Sequence, residues 1–268
     1  MGGMSTTSAA QETQPIQSLD RGLVILEAVA NSSQPVSLAE LTNLVGIDRS
    51  SVFRLAFTLK RRGFLAYPTG RKDFILGPTL WRLTHRYDWG TMLVRISQEH
   101  LKQLAKQTNE TAHLAVREGK HALFIDHATS TNHVIAISGQ TGEMVPLHCT
   151  AHGKALLADL GHDELLRLLG SAPLVSYTKQ SVSSITELAK LCSEIRARGY
   201  SADDAEFQEG VRCVAAPIRS ESGLIVGSIG ISAPSARFPQ ERYRECGELV
   251  RATADRISEG LRNQTPEA

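Results

Sequence analysis

An α+β protein in two domains, a helical one followed by one built on a sheet, is the fold class that the sequence predicts. Three observations lead there. Residues 37–63 carry two apolar-periodic helices around a tight turn, strand-like runs stand before, among and after helices from residue 112 to 261, and 268 residues suit two domains better than one. With 41% hydrophobic and 21% charged residues, the chain has enough apolar material for two cores.

Residues 1–17, rich in Ser, Thr, Gln and Ala, lack the apolar content to order themselves and read as a disordered tail. At Ser37 a capping box opens a short helix. The Ser37 hydroxyl can accept from the Glu40 amide while the Glu40 carboxylate reaches back. Leu38, Leu41 and Val45 are then its inward residues. Gly46 can leave the helix with positive φ, Ile47 plugs the turn, and Asp48 caps the next helix. From Arg49 to about Arg62 the residues Val52, Leu55, Ala56 and Leu59 fall at i, i+3, i+4 and i+7, so one stripe is buried.

The opposite face of that second helix presents Ser50, Phe53, Arg54, Phe57 and Arg61, with Arg49 and Ser51 flanking its start. A helix of this width fits the major groove of double-stranded DNA. There an arginine can grip guanine through two hydrogen bonds, and an aromatic ring can touch a thymine methyl. Ser37, Ser50 and Ser51 are suited to phosphate. Phe64 to Tyr67 and Phe74 to Leu76 then read as the strands of a hairpin around Pro68-Thr69-Gly70, with Arg71 and Lys72 at a basic tip that can follow the sugar-phosphate backbone. A winged helix-turn-helix over residues 18–77 results. From Ser18 to Asp88 there are 10 Lys or Arg against 6 Asp or Glu, whereas residues 89–268 hold 19 against 21. The positive charge therefore gathers where counterion release on DNA would use it.

Gly77-Pro78 opens a linker helix, residues 78–90, through Leu80, Trp81, Leu83 and about Arg86, with apolar sides that could pair with a second copy. Another helix after Asp88-Trp89-Gly90, with Leu93, Ile96, Leu101 and Leu104 inward, leads into a second domain at residues 91–262, and 263–268 form a tail. In that domain Ala112–Val116, Ala122–Ala128, Val134–Ile137 and Met144–Leu147 read as strands. Ala151–Ala158, Asp163–Leu169 and Ser184–Arg198 read as helices, the last ending at Gly199. Two further strands, Val211–Pro217 and Leu224–Ser232, flank the turn Ser220 to Gly223, and a final helix spans Pro239 to Leu261.

No apolar run approaches the roughly 20 residues that cross a bilayer, and the polar first residues lack a signal-peptide core, which points to a cytoplasmic protein with no membrane partner. Cys149, Cys192, Cys213 and Cys246 have neither the density nor the spacing of a disulfide scaffold and read as reduced thiols.

At this point the chain closely resembles the IclR family of bacterial transcriptional regulators, from Ser18 to about Leu261. The resemblance is carried by SLDRGLVILEAVA, DRSSVFRLAFTLKRRGFL, LHCTAHGKALLA, RGYSADDAEFQEGVRCVAAPI and VGSIGISAP. It implies a GAF-like second domain that binds an effector, an organic, aromatic or sugar-derived acid, and so modulates DNA binding by a homodimer or homotetramer acting as repressor or activator. It also implies an effector site at the backbone amides of Ala151 and His152 and the side chains of Asp203, Cys213 and Ser232. The free amides at a helix start independently favour a carboxylate. Gly230 departs from members with serine there and so removes one hydroxyl donor. Leu147, Met144 and Val211 are expected to form the apolar wall.

Other readings of these residues stand beside that one. Asp203 can be a loop cap beside Asp204, Cys213 an inert buried thiol, and Lys154 a solvated helix charge. His113, His121, His127, His133, His148 and His152 have atom types a metal could use, but their spacing matches no ligand signature, and those in alternating strands are expected to point to solvent. No metal and no cofactor are expected. Cys149 beside His148 could be a nucleophile, yet no third group orients the histidine, so no catalytic residue and no enzyme activity are expected. A DNA-binding protein without an effector is the remaining alternative.

Overall fold

In the computed structural model of this chain, residues 16–84, 88–130, 137 and 139–263 are described. The backbone divides into two compact units, Met1–Asp88 and Trp89–Ala268. The expected tail at 1–17 lies outside the described residues except for Ile16 and Gln17, and helix α1 begins at Gln17. The strand expected at Val134–Ile137 lies outside them but for Ile137, as does the tail beyond Asn263.

The first unit packs α1 (Gln17–Ala30), α2 (Leu38–Val45) and α3 (Arg49–Arg61) around Ile25, Val29, Leu41, Val52 and Ala56. Local chemistry sets each turn. Glu40 N–H donates to Ser37 Oγ at 3.3 Å and Ser37 N–H donates to the Glu40 carboxylate at 2.7 Å, while Gly46 takes φ 68° and Ser51 N–H donates to Asp48 Oδ1 at 2.9 Å. The wing strands are only two residues each, β1 (Leu65–Ala66) and β2 (Ile75–Leu76), and pair antiparallel. Val36 and Phe74 exchange both backbone hydrogen bonds, which ties the α1–α2 connection to the wing. Helix α4 (Pro78–Thr84) starts against the end of α3, where a Cβ on Gly77 would lie 2.2 Å from Gly63 O.

The second unit opens on α5 (Asp88–Thr108), which absorbs Trp89 and Gly90 into its first turn where a break was expected. Glycine costs less at a helix end than in the interior. Six antiparallel strands follow: β3 (Thr111–Glu118), β4 (His121–Ala128), β5 (Met144–Pro146), β6 (Ser201–Asp204), β7 (Val211–Arg219) and β8 (Ile225–Pro234), in spatial order β5-β4-β3-β8-β7-β6. Period-two alternation sorts their side chains. Leu114, Val214, Ala216, Ile229 and Ile231 face a core with α5 and α9 (Arg242–Arg262), while Ala115, Phe124 and Val145 join a second core with α6 (Ala151–Leu156), α7 (His162–Leu169) and α8 (Ile185–Arg198). Strand β6 is unforeseen. Ser-Ala-Asp-Asp contains no β-branched or aromatic residue, and its extension comes from the register Asp203↔Cys213 with β7.

Candidate functional site

The candidate residues lie on two surfaces, one in each unit. On α3 the exposed side holds Arg49, Ser50, Phe53, Arg54, Phe57 and Arg61, and the wing tip holds Arg71 and Lys72, also exposed. Phe53 and Phe57 are 45% and 47% exposed and stack with ring centroids 6.0 Å apart. Exposed aromatic rings of this kind are able to meet the apolar edges of nucleobases. Ser51 is half-buried at the Asp48 cap, where its N–H and its hydroxyl both engage the Asp48 carboxylate, and the Ser37 hydroxyl accepts from Glu40 N–H, so both serines are spent on helix caps. Lys60 Nζ lies 4.4 Å from the Tyr67 ring centroid, a cation–π contact between α3 and the wing absent from the sequence reading. Among the described residues, α5 and α9 are the long helices of the second unit, and no helix is long and apolar enough to cross a membrane.

The second unit contains a cavity on the sheet face that α6 covers, with about 560 Å³ of atom-free space including its mouth. Its walls bring together Thr150, Ala151, His152, Asp203, Val211, Cys213 and Ser232 from α6, β6, β7 and β8. The register explains the convergence, because Cys213 pairs with both Asp203 and Ser232 across neighbouring strands. The Cys213 thiol donates to Ser232 Oγ at 3.2 Å. Asp203, 3% exposed, accepts from Glu206 N–H at 2.7 Å in a turn where Ala205 holds φ 57°. Burial pushes the Asp203 carboxyl up to about 7, against the opposing pull of the Lys154 ammonium.

Several expectations need correction. Met144 is 55% exposed, and Leu147, fully buried, belongs to the core with α7 and α8; neither lines the cavity. A one-residue step along a strand reverses the face, so Val145 takes the wall position, joined by Phe124, Ile137 and Phe207. Gly230 does not line it either: a Cβ there would lie 2.4 Å from Val214 O and 2.6 Å from Ala215 Cβ, so the glycine answers to strand packing. Lys154, read as solvated, is 2% exposed and ion-paired with Glu206 on the buried side of α6. His113, read as facing solvent, is 1% exposed and lines the cavity beside His152. Burial lowers both imidazoles, His113 to about 4 and His152 to about 3. Sequence reasoning named His152 for its amide and both histidines as possible metal ligands, but not their adjacency in this cavity, because β3 and α6 meet only through the tertiary fold.

His148 Nε2 sits 2.8 Å from Val175 O, and the fully buried Cys149 thiol is pushed up to about 12 by burial, far from the thiolate that a nucleophile requires. Burial likewise raises Cys192 to about 11 and raises Cys213 and Cys246. Among the described residues no three His, Cys, Asp or Glu side chains converge in a metal-holding arrangement.

Residues 87–259 match the family description Bacterial transcriptional regulator IclR C-terminal, and residues 18–68 match IclR helix-turn-helix domain. The chain is similar to the Transcriptional repressor IclR of Escherichia coli, 31% identical over 259 residues, covering 96% of this chain and 94% of that one. It is 30% identical over 266 residues to the Acetate operon repressor of Salmonella typhimurium, covering 96% of this chain and 94% of the other. A crystal structure of a transcriptional regulator from a Rhodococcus strain, 28% identical, superposes with a TM-score of 0.75 and covers 92% of this chain and 98% of that one.

Proposed function

The chain belongs to the IclR family of bacterial transcriptional regulators, a DNA-binding family, and from that premise we propose how it reads DNA and what commands it. The reading domain is residues 18–77, the linker 78–90 and the effector domain 91–262. In a homodimer or homotetramer, two copies of α3 occupy major grooves about 34 Å apart on a pseudo-palindromic operator, and the Arg71–Lys72 tip follows the backbone beside each. The cavity holds an organic acid whose carboxylate is received near Asp203, Cys213, Ser232 and the first amides of α6. The observation that carries this reading is the convergence of those side chains with Thr150 and Val211 on one cavity. The ligand acts by binding the DNA-compatible and DNA-incompatible arrangements with unequal affinity. It is tested by fluorescence anisotropy of the full chain on its own promoter with a panel of organic acids. An acid that shifts operator affinity is the expected result, and a panel without effect overturns the effector reading.

Arg54→Ala is expected to weaken operator binding by about 1–3 kcal/mol and to relax preference at one base pair, whereas Lys72→Ala weakens all duplexes alike and flattens the salt slope by about one. Salt titrations on operator and scrambled duplex separate the two. An Arg54→Ala protein with intact specific binding would mean that another face of α3 meets the bases.

Acid binding should also depend on pH through Asp203. Its folded value lies above that of an unfolded aspartate, so the native state retains the proton between the ordinary carboxylate range and about pH 7, and the stability it contributes is present below that range and lost as pH rises through 7. A protonated Asp203 can donate to a ligand carboxylate, and an ionised one repels it. Affinity should hold below pH 7 and fall about tenfold per unit above it. Lys154, Glu206 and Asp204 are the charged groups that act on this carboxyl. Calorimetry from pH 6 to 9 checks the slope, and Asp203→Asn should remove it.

A further inference from the structure

We propose that the cavity contains a second recognition pole, made by His113 and His152, that selects acids carrying a hydroxyl group on the end remote from the carboxylate. The inference rests on the acid-binding reading above and adds what the remainder of the ligand must be.

His113 Nδ1 and His152 Nε2 are both buried and have no hydrogen-bond partner, although both rings line the cavity. Leaving such groups unpaired carries a desolvation cost that a bound ligand would relieve. Neighbouring side chains hold the rings in place. His152 Nδ1 lies 2.9 Å from Ser228 Oγ, Phe124 packs edge-on to His152 at 5.3 Å, and His113 lies 4.8 Å from Phe124 and 6.1 Å from His152 between centroids. Gly139 packs against the Cε1–Nδ1 edge of His113, where a Cβ would sit 2.6 Å from Cε1 and 3.0 Å from Nδ1 of the imidazole, so only glycine lets the ring keep its place.

The register sets this pole apart from the acid end. Ser232 pairs with Thr111 and Cys213, while His113 pairs with Gly230, two residues further along β8. At about 3.4 Å per residue the two poles stand about 7 Å apart along the strand, roughly the span of a substituted benzene ring.

The chemistry of the rings names the group. Burial keeps both imidazoles neutral, so each free nitrogen is either an N–H donor or a lone-pair acceptor according to tautomer. A hydroxyl both donates and accepts and can satisfy one nitrogen of each kind. A carbonyl or a second carboxylate only accepts and leaves any lone-pair nitrogen unmet. The lining between the poles, Phe124, Val145, Ile137 and Val211, is apolar and suits a ring or short alkyl spacer.

The test is calorimetry on the full chain with acids matched in pairs that differ by one hydroxyl: benzoate with 3- and 4-hydroxybenzoate, and hexanoate with 6-hydroxyhexanoate. 4-Formylbenzoate serves as the acceptor-only control. At least one hydroxylated member is expected to bind tenfold or more tighter than its parent, and 4-formylbenzoate no tighter than benzoate. In His113→Phe that advantage, read as the ratio of the two affinities within the variant, should shrink to within twofold. As a second readout, free of variants, the ¹⁵N resonances of two histidine rings should shift on adding the hydroxylated acid and not on adding its parent. If acids bind irrespective of the hydroxyl, the histidine pole is overturned and the acid pocket stands. If no acid binds, the acid reading itself falls.

Discussion

Lys154→Met is expected to destabilise the second unit by about 3–5 kcal/mol, because it leaves the Glu206 carboxylate buried without its counter-charge. Methionine keeps the length and apolar stem of the lysine, so lost packing contributes little. Glu206 is 9% exposed, its Oε2 already lacks a partner, and the ammonium is the sole charge that its Oε1 meets among the described hydrogen bonds. Neighbouring groups hold Glu206 there: Thr178 Oγ1 and Ser181 Oγ both donate to its backbone carbonyl, at 3.0 and 2.5 Å. At about 2–4 °C per kcal/mol for a unit of this size, the melting temperature should fall by roughly 6–20 °C. Adding Glu206→Leu should recover most of that loss, since an apolar pair of similar volume removes the uncompensated charge. A single variant that melts within a degree or two of the parent would mean that water reaches the pair.

Gly153→Ala is expected to cost about 3 kcal/mol or more, at the upper end of the overpacking range. The added Cβ would stand 2.3 Å from Leu147 O, 2.4 Å from Leu147 Cα and 2.6 Å from Leu147 C, all backbone atoms that cannot rotate aside. Alanine favours a helix over glycine by about 1 kcal/mol, too little to offset the collision. Relief requires α6 to move off the sheet. That would pull on the Thr150 hydroxyl, which accepts from Gly153 N–H at 3.1 Å and donates to Pro146 O at 2.6 Å. Urea unfolding should show a lower midpoint, and weaker acid binding should accompany it. An unchanged midpoint would mean that α6 shifts at no cost.

The first unit was largely legible in the sequence because its decisive interactions span three or four residues. Ser37 with Glu40, Gly46 at its positive φ and Asp48 with Ser51 are local, and the stripe Val52–Leu55–Ala56–Leu59 follows directly from helix period. In the second unit the order of elements could be read, but their faces could not. Strand β6 exists through its pairing with β7, 8 to 14 residues away, and nothing in Ser-Ala-Asp-Asp announces it. Met144 and Val145 exchange roles through a single step of register. The Lys154–Glu206 pair spans 52 residues and the His152–Ser228 contact 76, distances over which composition carries no trace of proximity. Asp203, Cys213 and Ser232 could be named from family resemblance, yet only the sheet register explains why they adjoin.

All four cysteines are buried, all belong to the second unit, and the reading unit has none. Iodoacetamide added to the folded protein would therefore meet no accessible sulfur outside the cavity that Cys213 lines, and each alkyl group attached at Cys149, Cys192 or Cys246 would record one excursion in which the sensing half came apart. Mass per molecule against time becomes a clock for that opening alone, blind to the motions of α1 to α4. An occupant of the cavity would slow it first at Cys213.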